Sequence, residues 1–302
     1  MKSLKNLTRI IKFIALHPLN SNHQFKAIFS FFKWQLAMRL IKRRVIIPWV
    51  DDASFVVGLG ETGLTGNIYA GLMEYEDMAF LLHALRPDEV FVDVGANVGA
   101  YTILASKVVK SHSVAFEPLP STAQRLRDQV RINEIESFVD VRSVGIGNKQ
   151  EILSFTNNQD TTNKVCLEIA SENTTRISVS TLDVELTDSN QYFIKIDVEG
   201  FEHNVIEGAT RVLSSGNISA LIIELNGSGE YFGYSNHGIH EKLLEYGYFP
   251  VAYEPKTRNI IQLTDFNKNG GNTIYIRDFQ QISERCKLAP KRVIRTAHEP
   301  LM

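Results

Sequence analysis

The stretch FVDVGANVGAYT, Phe91 to Thr102, decides how the chain is read. An apolar strand, VFVDVG at 90–95, runs into two glycines, Gly95 and Gly99, and opens a helix-forming run, VGAYTILASKVV. In a parallel α/β sheet, ligands bind beyond the carboxyl ends of the strands, where such turns lie. Glycine at both positions lets the backbone bend sharply and approach a ligand that a Cβ would obstruct.

Which ligand the turn suits follows from its other residues. A dinucleotide fingerprint is GxGxxG, and its middle glycine lets the backbone approach a pyrophosphate. With the first glycine on Gly95, Asn97 and Ala100 occupy the second and third positions, so the middle glycine is missing. Asp93 would also set a carboxylate beside any phosphate, and no GxxxxGK[ST] phosphate loop occurs in the chain. An acid beside this turn suits a cationic ligand without phosphate. S-adenosylmethionine meets that description, with a sulfonium, an ammonium and a ribose bearing two hydroxyls. Glu117 ends the next strand, SVAFEP, where one carboxylate can accept both ribose hydroxyls. NAD enzymes place an acid there too, so Glu117 speaks for a ribose and Asp93 with Asn97 for the cofactor.

Outward from the turn, strands and helices alternate. SVAFEP (113–118) leads to STAQRLRDQVRINE, YFIKID (192–197) to EHNVIEGATRVL, and ALIIEL (220–225) to IHEKLLEYG. FVDVRSVGI (138–146) is a further strand candidate, and FPVAYEP and NTIYIRD close the chain with no long helix between them. This pattern predicts an α/β fold: a mostly parallel sheet with helices on both faces and an antiparallel hairpin at one edge. Residues 151–180 are too long for a tight loop and read as a β-ribbon insertion. The helix EYEDMAFLLHAL (74–85) ends before Pro87. Residues 1–47 read as two helical pieces broken around His17 to Asn22. The expected organisation is a basic helical extension (1–50), an entry strand, loop and helix (51–87), the core domain (88–280) and a tail (281–302).

With 302 residues, 44% of them hydrophobic and 22% charged, the chain has ordinary soluble composition. Two separated cysteines, Cys166 and Cys286, argue against a disulfide framework or a thiolate zinc site and fit the cytoplasm. The net charge of −2 conceals an asymmetry. Residues 1–50 carry ten Lys or Arg and no acid, leaving 22 basic against 34 acidic residues, or −12, in the rest. Lys12 interrupts IIKFIAL, so no secretory signal is expected. FKAIFSFFKWQLAMRLIKRR reads as a basic amphipathic helix. Such a helix can lie peripherally on an anionic membrane, or pack on the domain or on a second subunit of a homo-oligomer. The acidic body, and the absence of an NPPY-like tetrapeptide after the fourth strand, count against a nucleic-acid partner.

Four separated motifs, FVDVGANVGAYTILAS, VAFEP, FIKIDVEGFEHNVIEGA and LIIELNG, resemble the FkbM-type S-adenosylmethionine-dependent methyltransferases of the class I methyltransferase fold. The resemblance spans about Gly66 to Tyr253. It implies a Rossmann-like, seven-stranded sheet of order 3-2-1-4-5-7-6 with strand 7 antiparallel. It also implies O-methylation of a hydroxyl on a sugar, a glycan or glycolipid precursor, or a glycosylated metabolite. The competing reading is a cofactor-binding assembly module without turnover, against which the intact Asp93, Gly95, Gly99 and Glu117 speak.

Methyl transfer needs an in-line acceptor, a placement worth roughly 7–11 kcal/mol, and a base for its hydroxyl proton, worth about 10²–10⁴ in rate. Asp197 and Glu199, at the end of the fourth strand, are the candidate bases, with the choice between them open. Tyr69, Glu74, Glu202, Asn226 and His240 are candidate substrate contacts. Glu202 also fits a plain first-turn helix acid. No metal is expected, although Asp197, Glu224 and Asn226 could offer oxygen ligands to Mg²⁺. A zinc HExxH is disfavoured because Leu244 follows His240-Glu241 where the second histidine would stand.

Overall fold

The computed structural model describes residues 2–58, 61, 63–156, 165–166, 174–269 and 271–296. Small parts of the entry loop, most of the middle of the expected ribbon and the end of the tail lie outside the described residues.

Eight strands form the central sheet: β1 (Val90–Val94), β2 (His112–Phe116), β3 (Val139–Arg142), β4 (Tyr192–Ile196), β5 (Ile218–Glu224), β6 (Phe249–Glu254), β7 (Asn259–Gln262) and β8 (Asn272–Ile276). Their order is β3-β2-β1-β4-β5-β8-β6-β7. β1 to β5 pair in parallel, and β8 runs antiparallel to both β5 and β6. This is the 3-2-1-4-5-7-6 arrangement, with β8 as its antiparallel strand. β7 adds an antiparallel edge strand beyond β6.

The sheet is apolar on both sides because both are covered. In β4 all five residues are buried, and successive side chains point to opposite faces. Phe193 enters one core cluster, with Phe80 and Phe91, while Ile194 and Ile196 enter the other, with Val205 and Leu243. Burying each such side chain contributes about 1.5–3 kcal/mol. The helix Tyr75–Ala84 closes the first face; Glu76 and Asp77 in its first turn suit the helix dipole.

Glu151–Thr156, Val165–Cys166 and Thr174–Ser180, from the expected ribbon, form a separate four-stranded sheet with Gly145–Ile146; the strand expected over 138–146 is thus split, Val139–Arg142 staying in the central sheet. The N-terminal helices are Lys2–Leu16 and Gln24–Ile41, separated by a short turn at Pro18–Asn20. Ile14, Ala27 and Phe31 pack them against Tyr69. Among the described residues, no helix is long and apolar enough to cross a membrane.

Candidate active site

The site begins where β1 and β4 end side by side. Their register sets Asp93 against Lys195 and Val94 against Ile196, and the Asp197 amide donates to the Val94 carbonyl at 2.9 Å. Gly95 then turns at φ +82°, and a Cβ there would lie 1.8 Å from the Asp197 carbonyl oxygen. Only glycine satisfies both conditions. Gly99 also stands in the left-handed region, at φ +85°, and a Cβ there would press on the end of the Leu126 side chain at 2.2 Å. Asn97 sits at φ +51°, a region asparagine tolerates better than most residues.

Glu117, at the end of β2, is buried. Its two oxygens accept from the Asn97 and Leu119 amides, each at 3.0 Å. Burial pushes its carboxyl up to about 7, although those two hydrogen bonds favour the charged form. Each carboxylate oxygen retains a lone pair, so two hydroxyl donors can still be accommodated. Asp93 is also buried and accepts the Thr102 hydroxyl at 2.6 Å. Burial raises its pKa against the pull of Lys195.

Lys195 is the hinge of the electrostatics. Its ammonium is buried and donates to Asp197 at 2.6 Å, and it lies 4.7 Å from the centre of the Tyr101 ring. Burial disfavours its charge, but Asp197, Glu74 and Asp93 outweigh that and raise its pKa. Tyr101 in turn donates its hydroxyl to Glu74 at 2.6 Å. Glu224, at the end of β5, has an oxygen that is buried without a hydrogen-bond partner. Burial raises its pKa, and the neighbouring charges of Asp197, Glu199 and Glu202 add to the rise.

These groups surround a cavity of about 330 Å³. Of the residues singled out from sequence, Asp93, Gly95, Asn97, Glu117, Asp197, Glu199, Glu74 and Glu224 line it. Leu119, Ile146, Phe155 and Val165 give it an apolar wall, the last three from the four-stranded sheet.

Other candidates stand elsewhere. Gly99 is absent from the lining and acts through backbone and packing. Tyr69 is buried under the N-terminal helices, its ring centroid 5.2 Å from that of Phe31. Glu202 is buried and accepts the Val198 and Gly200 amides, which fixes the loop after β4. Asn226 is exposed, and its side-chain oxygen accepts from Ser228 N–H in a local turn. His240 is buried against the Tyr275 hydroxyl, 2.9 Å from its Nδ1. Among the described residues, no group of three or more His, Cys, Asp or Glu is arranged to hold a metal ion.

Sequence reasoning missed Tyr101 and gave Glu224 no part in proton transfer. The available signal was Lys195, a cation inside an otherwise apolar five-residue strand, which needed buried acids around it.

The sheet order, the glycine turn at β1 and the acid at the end of β2 define a class I methyltransferase fold. The methyltransferase FkbM domain matches residues 93–250, more than half the chain, and the chain belongs to that family. Two curated proteins are similar in part. Hexuronic acid methyltransferase AglP of Haloferax volcanii is 29% identical over 157 residues, 51% of this chain and 62% of that protein. AMB antimetabolite synthetase AmbE of Pseudomonas aeruginosa is 34% identical over 73 residues, 24% of this chain and 3% of that protein. The chain thus spans less than two thirds of either relative. Among solved structures, precorrin-6y C5,15-methyltransferase of Geobacter metallireducens is similar at 15% identity and a TM-score of 0.40. That match covers 74% of this chain and 93% of the other, and it carries no argument about substrate.

Proposed function

We propose that the protein moves the methyl group of S-adenosylmethionine to a hydroxyl of a sugar. The observation that carries this reading is the acid-lined cavity at the ends of β1, β2, β4 and β5, joined to membership of a methyltransferase family. The residues fit that donor. The cavity offers carboxylates and close backbone approach at Gly95, with no phosphate loop, and the apolar wall at Leu119 and Phe155 suits an adenine. Glu117 would hold the ribose hydroxyls, and the acids Asp93 and Asp197 suit the donor's positive groups.

When bound, S-adenosylmethionine supplies an electrophilic methyl group. The chain's own task is to place the acceptor oxygen and remove its proton. Glu224 is the base this geometry favours over Asp197. Asp197 is tied to Lys195, whereas Glu224 has a free oxygen and a pKa raised by burial to about 8. A base works best when its pKa lies near the working pH. Glu199 lines the same cavity and would contact the acceptor.

A sugar acceptor agrees with the partial likeness to a hexuronic acid methyltransferase. The acidic cavity favours a neutral hydroxyl over a carboxylate as the methylated group, because like charges repel at short range in a buried site. The test is transfer of labelled methyl from S-adenosylmethionine to uronic acid glycosides and neutral sugars, followed by mild alkali. An ether survives that treatment and a methyl ester does not. Alkali-labile label, or label entering only protein or nucleic acid, would overturn the reading. Glu224→Gln should lower kcat by about 10²–10⁴ while the donor still binds.

A further inference from the structure

The N-terminal helix Gln24–Ile41 has two apolar faces. One, bearing Ala27, Phe31 and Met38, is buried against the body. The other carries Phe25, Phe29, Phe32, Leu36 and Leu40 at steps of three or four residues, which aligns them along one side. Their exposures are 89%, 70%, 48%, 63% and 75%. The second stripe leaves large apolar side chains in water although the helix has already buried its first face. Lys26 and Lys33 flank this stripe on one side and Arg39 on the other, all exposed, and Lys42 and Arg43 follow. The preceding helix adds exposed Phe13 and Leu16 beside Arg9 and Lys12.

We propose that this face docks the protein on an anionic lipid bilayer, with the helix lying in the plane of the interface. Apolar side chains flanked by cations are how interfacial helices bind, through buried apolar area together with attraction to anionic headgroups. Charge selects this occupant over a second copy. Residues 1–50 hold no acid, and a two-fold contact would set the same basic patch against itself.

The preceding helix borders a groove that shares two residues with the catalytic cavity. Arg9, Lys12, Phe13 and Leu16 wall a groove whose opposite side is formed in part by Met73 and Glu74. Met73 and Glu74 also line the cavity. Docking therefore favours an acceptor sugar carried by the bilayer, a consequence that rests on the sugar-methylation reading. The vesicle experiment below stands without it.

The full chain is sedimented with vesicles of phosphatidylcholine alone or of phosphatidylcholine with phosphatidylglycerol, and its mass in solution is measured by light scattering. The wild type should bind the anionic vesicles at least about tenfold more strongly than the neutral ones, and less strongly as salt rises. The triple variant Phe25→Ser, Phe29→Ser, Leu36→Ser removes only side chains that face water, so its melting temperature should hold while vesicle binding is lost. Lys26→Glu with Lys33→Glu should weaken binding to anionic vesicles alone. Equal sedimentation of wild type and triple variant would overturn the proposal, as would failure of the wild type to bind anionic vesicles. So would a wild-type dimer that the triple variant converts to monomer, since the face would then serve self-association.

Discussion

The carbonyl oxygen of Asp197 lies 1.8 Å from where a Cβ on Gly95 would sit. The turn after β1 and the loop after β4 therefore share one volume, and their close approach adds to the bond from the Asp197 amide to the Val94 carbonyl in fixing both. Gly95→Ala must move one of the two loops and hold alanine at φ +82°. The expected cost is about 3 kcal/mol or more, together with loss of donor binding. Gly233→Ala is the control, with φ +83° and nothing within 4 Å. It should cost only about 1 kcal/mol. Chemical denaturation of the two variants checks this: equal destabilisation would mean that the contact with Asp197 contributes nothing.

Glu117 is fixed by two backbone amides. Glutamine keeps the shape but offers only one acceptor oxygen, and its uncharged hydrogen bonds are weaker by about 1–2 kcal/mol each. Glu117→Gln should weaken S-adenosylmethionine affinity about tenfold to a hundredfold by calorimetry. The rate at saturating donor should change little. A variant that binds as tightly as the wild type would remove the ribose role.

Much of this was legible from residues near one another in the chain. The run from Phe91 to Thr102 carries its own strand, turn and helix signals, and the long apolar runs of β1, β4 and β5 can only be strands covered on both faces. β7 was not legible, because NIIQ is four residues long and buries only Ile260, too little for a period to show. Tyr69 and Asn226 stand near the crevice in sequence, from the entry loop and strand five, while His240 lies at the start of the helix that follows strand five. Where each side chain points was decided by distant partners: Phe31 for Tyr69, Tyr275 for His240. Glu202 illustrates a further ambiguity. An acid in a first helical turn can face a ligand or its own loop, and here two amides of that loop claim it.

Lys195 carries the prediction most sensitive to context. It is buried between Asp197, to which it is bonded, and Asp93, its partner in register. Lys195→Met leaves both acids without their counter-charge and should cost about 3–5 kcal/mol at neutral pH. Part of that loss should return as pH falls, because Asp93, whose pKa is already raised by burial, can then take up a proton. Urea titrations at pH 5 and pH 8 test this. A destabilisation equal at both would show that the lysine stem, rather than its charge, is what the site needs.

Glu202 gives a pH dependence of the wild-type fold itself. Burial raises its carboxyl from 4.5 to about 7 despite the hydrogen bonds from Val198 and Gly200. The folded state therefore holds this proton more tightly than the unfolded chain does. Its contribution to stability is complete below about pH 4.5 and is lost as pH rises through about 7, amounting to about 3 kcal/mol across that window. Glu202→Gln removes the titration, while its side-chain oxygen can still accept the two amides. The variant should therefore lose less stability than the wild type between pH 5 and pH 8, in denaturation monitored by circular dichroism. Parallel losses in the two proteins would mean that Glu202 stays charged in the folded state and that its two amide donors outweigh burial.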